Sequence, residues 1–188
     1  MLPIKLNGNS FSFPTELSEI NLKQFYALRQ AKDMIDEICV LTGLERQTIQ
    51  NFKSRSDLAK CQALLGNIAQ KLTTGFDDAK LPKQTLIDGK VVKVPRNLKL
   101  EPIGAFIAVH NLINEGLKQC AEKKLDFDPL LIIPQVLAHY FYLPYMGDGV
   151  LYSDEGVEDK EYMEKVHTMP VTDAIPIANF FFRRYPNL

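Results

Sequence analysis

The 188-residue chain has no tryptophan, and its three cysteines, Cys39, Cys61 and Cys120, stand far apart. An odd, sparse set excludes a disulfide framework, and without a CxxC pair it offers no zinc motif. All three read as small buried apolar residues. A formal net charge of -1 supplies no bulk field towards nucleic acid or an anionic membrane. The longest apolar runs, such as LLIIPQVLAHYFYLP, fall short of the ~20 residues a bilayer span needs. The opening MLPIKLNG has no charged region followed by a long apolar run, so no signal peptide is expected. The expectation is a protein that folds in a reducing cytoplasm and does not associate with membranes.

Catalytic signals are equally scarce. No GxxxxGK[ST] phosphate loop and no GxSxG elbow occur. His110, His139 and His167 have no metal-ligand spacing with one another or with cysteine. Asp154, Glu155, Glu158, Asp159 and Glu161 lack the alternating oxygen donors of a calcium loop, and they read as a solvated helix N-terminus. The sequence nominates no catalytic residue, no metal and no cofactor, and a non-enzymatic protein is expected.

Aromatics other than tryptophan are plentiful: eleven phenylalanines and seven tyrosines within a 46% apolar composition. Two stretches share a pattern. LNGNSFSFP, Leu6 to Pro14, returns 81 positions later as IDGKVVKVP, Ile87 to Pro95. Asn-Gly and Asp-Gly are strong tight-hairpin signals because they tolerate positive φ. Ile4, Leu6, Phe11 and Phe13 alternate around Asn7-Gly8; Leu86, Val92 and Val94 flank Asp88-Gly89. Each set is assigned to one face of a two-stranded ribbon. Pro14 and Pro95 end the second strands.

The match runs on at the same offset. Leu17 falls on Leu98, Leu22 on Ile103, Phe25 on Phe106 and Leu28 on Val109. Either the chain carries an internal duplication of hairpin, proline, connection and helix, or it holds two unrelated hairpins with common turns. On the duplication reading the fold class is α+β and mainly α-helical, with two related hairpin-plus-helices units, 1–76 and 77–188, packed together.

Helices are expected over 21–42, broken near Asp33 and stopped by Gly43, then over 45–53 and over 57–73 with Ser56 as cap and Gly75 as stop. In the second unit they are expected over 102–122, after Asp128-Pro129 with Pro134 either starting or kinking the helix, over 154–166 from Ser153, and over 173–184 from Thr172.

Two segments could bind something. In IDEICVLTGLERQTIQNFK, Gly43 has Cys39 four residues before it and Ile49 six after, as a helix-turn-helix corner requires. Arg46, Gln47, Gln50 and Lys53 would then face DNA. Any two helices meeting at a sharp corner need the same residues, and the balanced charge argues against nucleic acid. In IPIANFFFRRYPNL, Phe180, Phe181 and Phe182 cannot all face one core. With Arg183, Arg184 and Tyr185 they form a candidate protein interface, or else a terminal helix wedged between the two units.

LNGNSFSFPTELSEINLKQF, the following LTGL and MPVTDAIPIANFF together resemble small structural-module proteins of tailed phages that infect Bacteroidetes, the crAss-like phages among them. The resemblance spans most of the chain and carries no catalytic motif. It implies a virion-associated protein of the tail or neck, or one carried in the tail as cargo. Such a protein would contact other phage structural proteins and copies of itself, in the host cytoplasm during assembly and then in the virion. A second resemblance, to tail assembly chaperones, implies a role during assembly only.

Overall fold

The computed structural model describes residues 1–6, 9–51, 55–74, 76, 79–183 and 185. The fold is mainly α-helical α+β, with two small antiparallel sheets of two strands each. The chain divides into two compact units, Met1–Ala79 with Pro170–Thr172, and Lys80–Met169 with Asp173–Leu188. The division falls at 79/80 rather than 76/77, and the return of 170–172 to the first unit has no signature in the sequence.

In the first unit, β1 (Leu2–Leu6) pairs antiparallel with β2 (Asn9–Phe13), placing Leu2 opposite Phe13 and Ile4 opposite Phe11. The expected Asn7-Gly8 turn lies outside the described residues. Ile4, Phe11 and Phe13 are buried, so alternation gives the ribbon one apolar face. A short 3-10 turn at Leu17–Glu19 leads to α1 (Leu22–Gln30). Asn21 caps that helix reciprocally: its side chain accepts from the Gln24 N–H at 2.9 Å, and its own N–H donates to the Gln24 side chain at 3.1 Å. The chain breaks at Ala31, as expected near Asp33, and Asp33 caps α2 (Met34–Thr42). Gly43 ends α2 with φ of 72°, a conformation that favours glycine.

Then follow α3 (Arg46–Gln50) and α4 (Arg55–Thr74), the latter burying Cys61 and Ile68. Ser56 sits inside α4 rather than capping it, and Gly75 lies outside the described residues. The unit is completed by the strap 170–172. The Val171 N–H donates to the Ile20 carbonyl at 2.8 Å, and Asn21 pairs with Pro170 in an antiparallel bridge.

The second unit repeats this opening. β3 (Gln84–Ile87) and β4 (Lys90–Lys93) join through Asp88 and Gly89, whose φ angles of 50° and 73° are those of a tight hairpin turn. Gln84 lies opposite Lys93 and Thr85 opposite Val92. In the first ribbon Pro3 lies opposite Ser12 and Ile4 opposite Phe11, the same register at the same 81-residue offset. The offset also carries the turn Leu17–Glu19 onto a 3-10 turn at Leu98–Leu100, and the start of α1 at Leu22 onto the start of α5 (Ile103–Lys123) at Ile103.

One assignment is corrected. Leu86 does not share the inward face. It lies opposite Val91, and both are exposed, at 45% and 57%. The inward residues of β3 are Thr85 and Ile87, because Thr85 faces Val92 across the ribbon. The hydroxyl of Thr85 is satisfied there by donating to the Asp173 carboxylate at 2.8 Å.

Asp128 caps a 3-10 turn at Pro129–Ile132, which runs into α6 (Ile133–Met146). Pro134 occupies the first turn of α6 and therefore starts the helix rather than kinking it. From Ile133 to Tyr142 every residue of α6 except Gln135 is buried, which makes it the central helix of this unit. The expected helix over 154–166 is two helices, α7 (Asp154–Val157) and α8 (Lys160–Val166). Asp159 interrupts it by accepting from the Tyr162 N–H at 3.0 Å and capping the second helix. The last helix, α9 (Val171–Phe182), begins before Thr172 and contains Pro176.

The ribbon register predicts unequal costs of truncation. Phe13→Ala, at a side chain with no exposure, is expected to lower stability by about 3–5 kcal/mol. Leu86→Ala should stay within about 0.5 kcal/mol. Urea midpoints of the two variants against the parent check this, and equal losses would contradict the register.

Candidate functional site

The second unit holds a cavity of about 610 Å³. One wall is the connection from β4 to α5: Pro95, Arg96, Asn97, Leu98, Leu100, Glu101 and Pro102. The other is the later half of α6, with His139, Tyr140, Leu143 and Pro144, and the loop that follows it, Gly147 to Val150. Apolar walls with a few polar groups are the ordinary make-up of a binding pocket.

The polar groups are held from behind. The His139 ring nitrogen Nδ1 lies 2.7 Å from the Tyr152 hydroxyl, which donates to the Asp154 carboxylate at 2.7 Å. Since Tyr152 gives its proton to Asp154, it accepts from Nδ1–H, which in the neutral imidazole leaves Nε2 as the acceptor. Burial pushes the His139 imidazole below its ordinary 6.5, against the opposing charges of Asp154 and Glu158. Burial likewise raises the Tyr140 and Tyr152 hydroxyls well above the usual tyrosine range; Tyr185 and Glu101 add to the rise at Tyr140, and Asp154 to that at Tyr152. Both tyrosines are therefore neutral hydrogen-bonding groups rather than acids.

Glycines make room for the aromatic rings. A Cβ on Gly104 would stand 2.5 Å from the Tyr152 ring, and one on Gly156 would stand 2.1 Å from the Tyr142 hydroxyl. His139, beside tyrosines on an apolar helix, is the buried, hydrogen-bonded residue that its sequence setting predicts, whereas nothing in the sequence links it to Tyr152 and Asp154. The one clue is general: a histidine on an apolar helix needs a polar partner, and the loop YMGDGVLYSDEG supplies one.

The C-terminal aromatics are divided. Phe181 is fully buried and stacks on Tyr140 with ring centroids 4.0 Å apart. Tyr185 is also buried. It stacks on Phe106 at 5.7 Å, and its hydroxyl lies 3.0 Å from that of Tyr140. These two residues are packed inside their own unit and present no face to another chain, because α6 and α5 already cover their rings. Phe180 and Phe182 are half-buried and Arg183 is exposed, while Arg184 lies outside the described residues.

The helical corner is present, with Gly43 in the left-handed conformation and Ile49 buried. α3 is only five residues long. Gln47 and Gln50 are exposed, and Lys53 lies outside the described residues. Arg46 is engaged by Asp33, at 2.6 and 3.1 Å, and by Asp36. This holds the Asp33 carboxyl down at about 2. Residues 33–51 carry Asp33, Asp36, Glu37 and Glu45 against Arg46 alone, a balance that repels phosphate.

Among the described residues no group of three histidine, cysteine or acidic side chains could hold a metal ion, and no helix is long and apolar enough to cross a membrane. No family model, curated protein or solved structure matches the chain.

Two outcomes follow. Gly104→Ala should cost about 1–3 kcal/mol by driving Tyr152 off its position, and tyrosine fluorescence with urea melts would detect it. The depressed His139 value means that the folded state disfavours the imidazolium. Its contribution is complete above pH of about 6.5 and is lost as pH falls through the folded value. Urea midpoints at descending pH should fall over that window, and His139→Gln should flatten the fall; an unchanged profile would contradict the neutral assignment.

Proposed function

We propose that the protein is a non-enzymatic, virion-associated protein of a tailed phage, structural in the tail or neck or carried in the tail, and that it acts through protein contacts with other phage structural proteins and with copies of itself. The observation that carries this reading is the exposed apolar surface of the second unit. Leu100, Ile103 and Ile107 follow one another at three- and four-residue spacing, exposed by 80%, 77% and 50%. Val150 and Leu151, on the loop after α6, are exposed as well, and Val150 shares the cavity with Leu100. Exposed apolar groups, two of them (Leu100 and Val150) at a cavity, favour a protein partner.

The sequence resemblance supplies the setting, in host cytoplasm during assembly and afterwards in the particle. The engagement of Arg46 by two aspartates counts against the DNA-binding alternative.

Mass spectrometry of purified particles tests the reading. The protein is expected there at several copies per particle. Finding it only in the infected-cell lysate would overturn the virion assignment and favour a tail assembly chaperone. Ile103→Asp should leave the unfolding free energy from urea melts within about 0.5 kcal/mol of the parent while reducing incorporation into particles; full incorporation would exclude this face from the contact.

A further inference from the structure

We infer that the cavity of the second unit is a docking site for an arginine side chain of a partner protein, with the guanidinium held by His139 and Glu101 and the residues beside it lying on the apolar rim. The inference rests on the reading of protein contacts and names what such a contact recognises.

His139 is the first observation. It lines the cavity although it is only 7% exposed. Its Nδ1 edge is turned to Tyr152, which does not line the cavity. The wall is therefore made by the rest of the ring, which carries Nε2. In the neutral imidazole Nε2 is an acceptor, and among the described residues no donor meets it. Whatever fills this space gains most by bringing an N–H to it, because a buried acceptor left unmade is costly.

Charge is the second observation. Of the described residues that line the cavity, Glu101 and Asp148 are acidic and Arg96 alone is basic. Tyr140, the residue after His139 on α6, donates its hydroxyl to the Glu101 carboxylate and fixes it in the wall. Arg96 is exposed, and its guanidinium donates at 2.9 Å to the carbonyl of Leu81, a residue outside the lining. Acceptors and negative charge thus face the space, while the one base is tied at its edge. This polarity suits a cation that carries N–H donors and disfavours carboxylates and phosphates.

The rest of the lining chooses among cations. Leu98, Leu143 and Pro144 are apolar, and so are Leu100 and Val150, exposed by 80% and 41%. A guanidinium is more weakly hydrated than an ammonium, so it enters apolar surroundings at less cost. Its planar fork of five N–H donors serves a carboxylate and an imidazole together. Its aliphatic stem lies along apolar walls. A protein is the source, because apolar residues beside the arginine cover Leu100 and Val150, which a small free cation would leave exposed.

The test titrates isotope-labelled full-length protein with the capped tripeptide Leu-Arg-Leu, and in parallel with Leu-Lys-Leu and Leu-norleucine-Leu. The arginine peptide is expected to give saturable shifts at the His139 ring protons and at backbone amides within 95–102 and 139–150. The lysine peptide should bind about threefold or more weakly, and the norleucine peptide about tenfold or more weakly. Glu101→Gln should reduce arginine-peptide affinity about tenfold, and Asp148→Asn, at an exposed position, about threefold. Urea melts identify a variant that no longer folds, and the comparison of the three peptides needs no variant. The inference is overturned by absence of saturation, by shifts confined to other parts of the chain, or by equal binding of the norleucine peptide, which would leave an apolar groove without charge recognition. Equal binding of the lysine peptide would overturn the choice of guanidinium. Particle analysis is a separate readout: a protein present in particles that fails this titration loses the arginine site and keeps the virion reading.

Discussion

A two-stranded ribbon with one apolar face cannot hold itself together in water. Both ribbons of this protein face that constraint, and the helices that answer it organise each unit. In the first, Ile4, Phe11 and Phe13 make a broad aromatic face, met by α2. In the second, Thr85, Ile87, Val92 and Val94 make a flatter one, met by α6. Smaller side chains on the ribbon let a bulkier helix approach, and α6 is the most aromatic helix of the chain, with Tyr140, Phe141, Tyr142 and Tyr145.

Once α6 is central, much of the second unit follows. Its rings need room, which Gly156 gives to Tyr142, and they need polar ends satisfied. The Tyr162 hydroxyl donates to the Ala138 carbonyl at 2.9 Å, and the Tyr140 and Tyr185 hydroxyls meet. Phe181 closes over Tyr140, so the aromatic C-terminal helix serves the core before it can serve any partner. The α5 helix buries Ala105, Val109 and Ile113, whereas α1 buries Leu22 and Phe25. A shift of this kind turns the helix about its axis, by about 100° per residue, and it leaves Ile103 facing outward.

Local signals in the sequence were informative where the physics is local. The Asp88-Gly89 turn, the break before Asp33, the left-handed Gly43 and the Asp128-Pro129 start all depend on a few adjacent residues and fall where their patterns put them. What was not legible depends on distant residues. Asp159 divides one apparent helix into two because it caps the second half. Leu86 points outward because its neighbour across the ribbon is Val91. The return of Pro170–Thr172 to the first unit depends on a hydrogen bond to Ile20, from a residue 151 positions away. The cavity, and the relay from His139 through Tyr152 to Asp154, assemble from segments that sequence spacing does not link.

The same local frame occurs twice, with the first apolar residue of its helix buried in the first unit, at Leu22, and exposed in the second, at Ile103. Thiol labelling at the equivalent positions tests this most directly, using Leu22→Cys and Ile103→Cys in the native full-length protein, with peptide mapping to separate them from Cys39, Cys61 and Cys120. The cysteine at 103 should label nearly as fast as in the unfolded chain, and the one at 22 about a hundredfold more slowly or less, limited by opening of its cover. Equal rates, or faster labelling at 22, would contradict the claim.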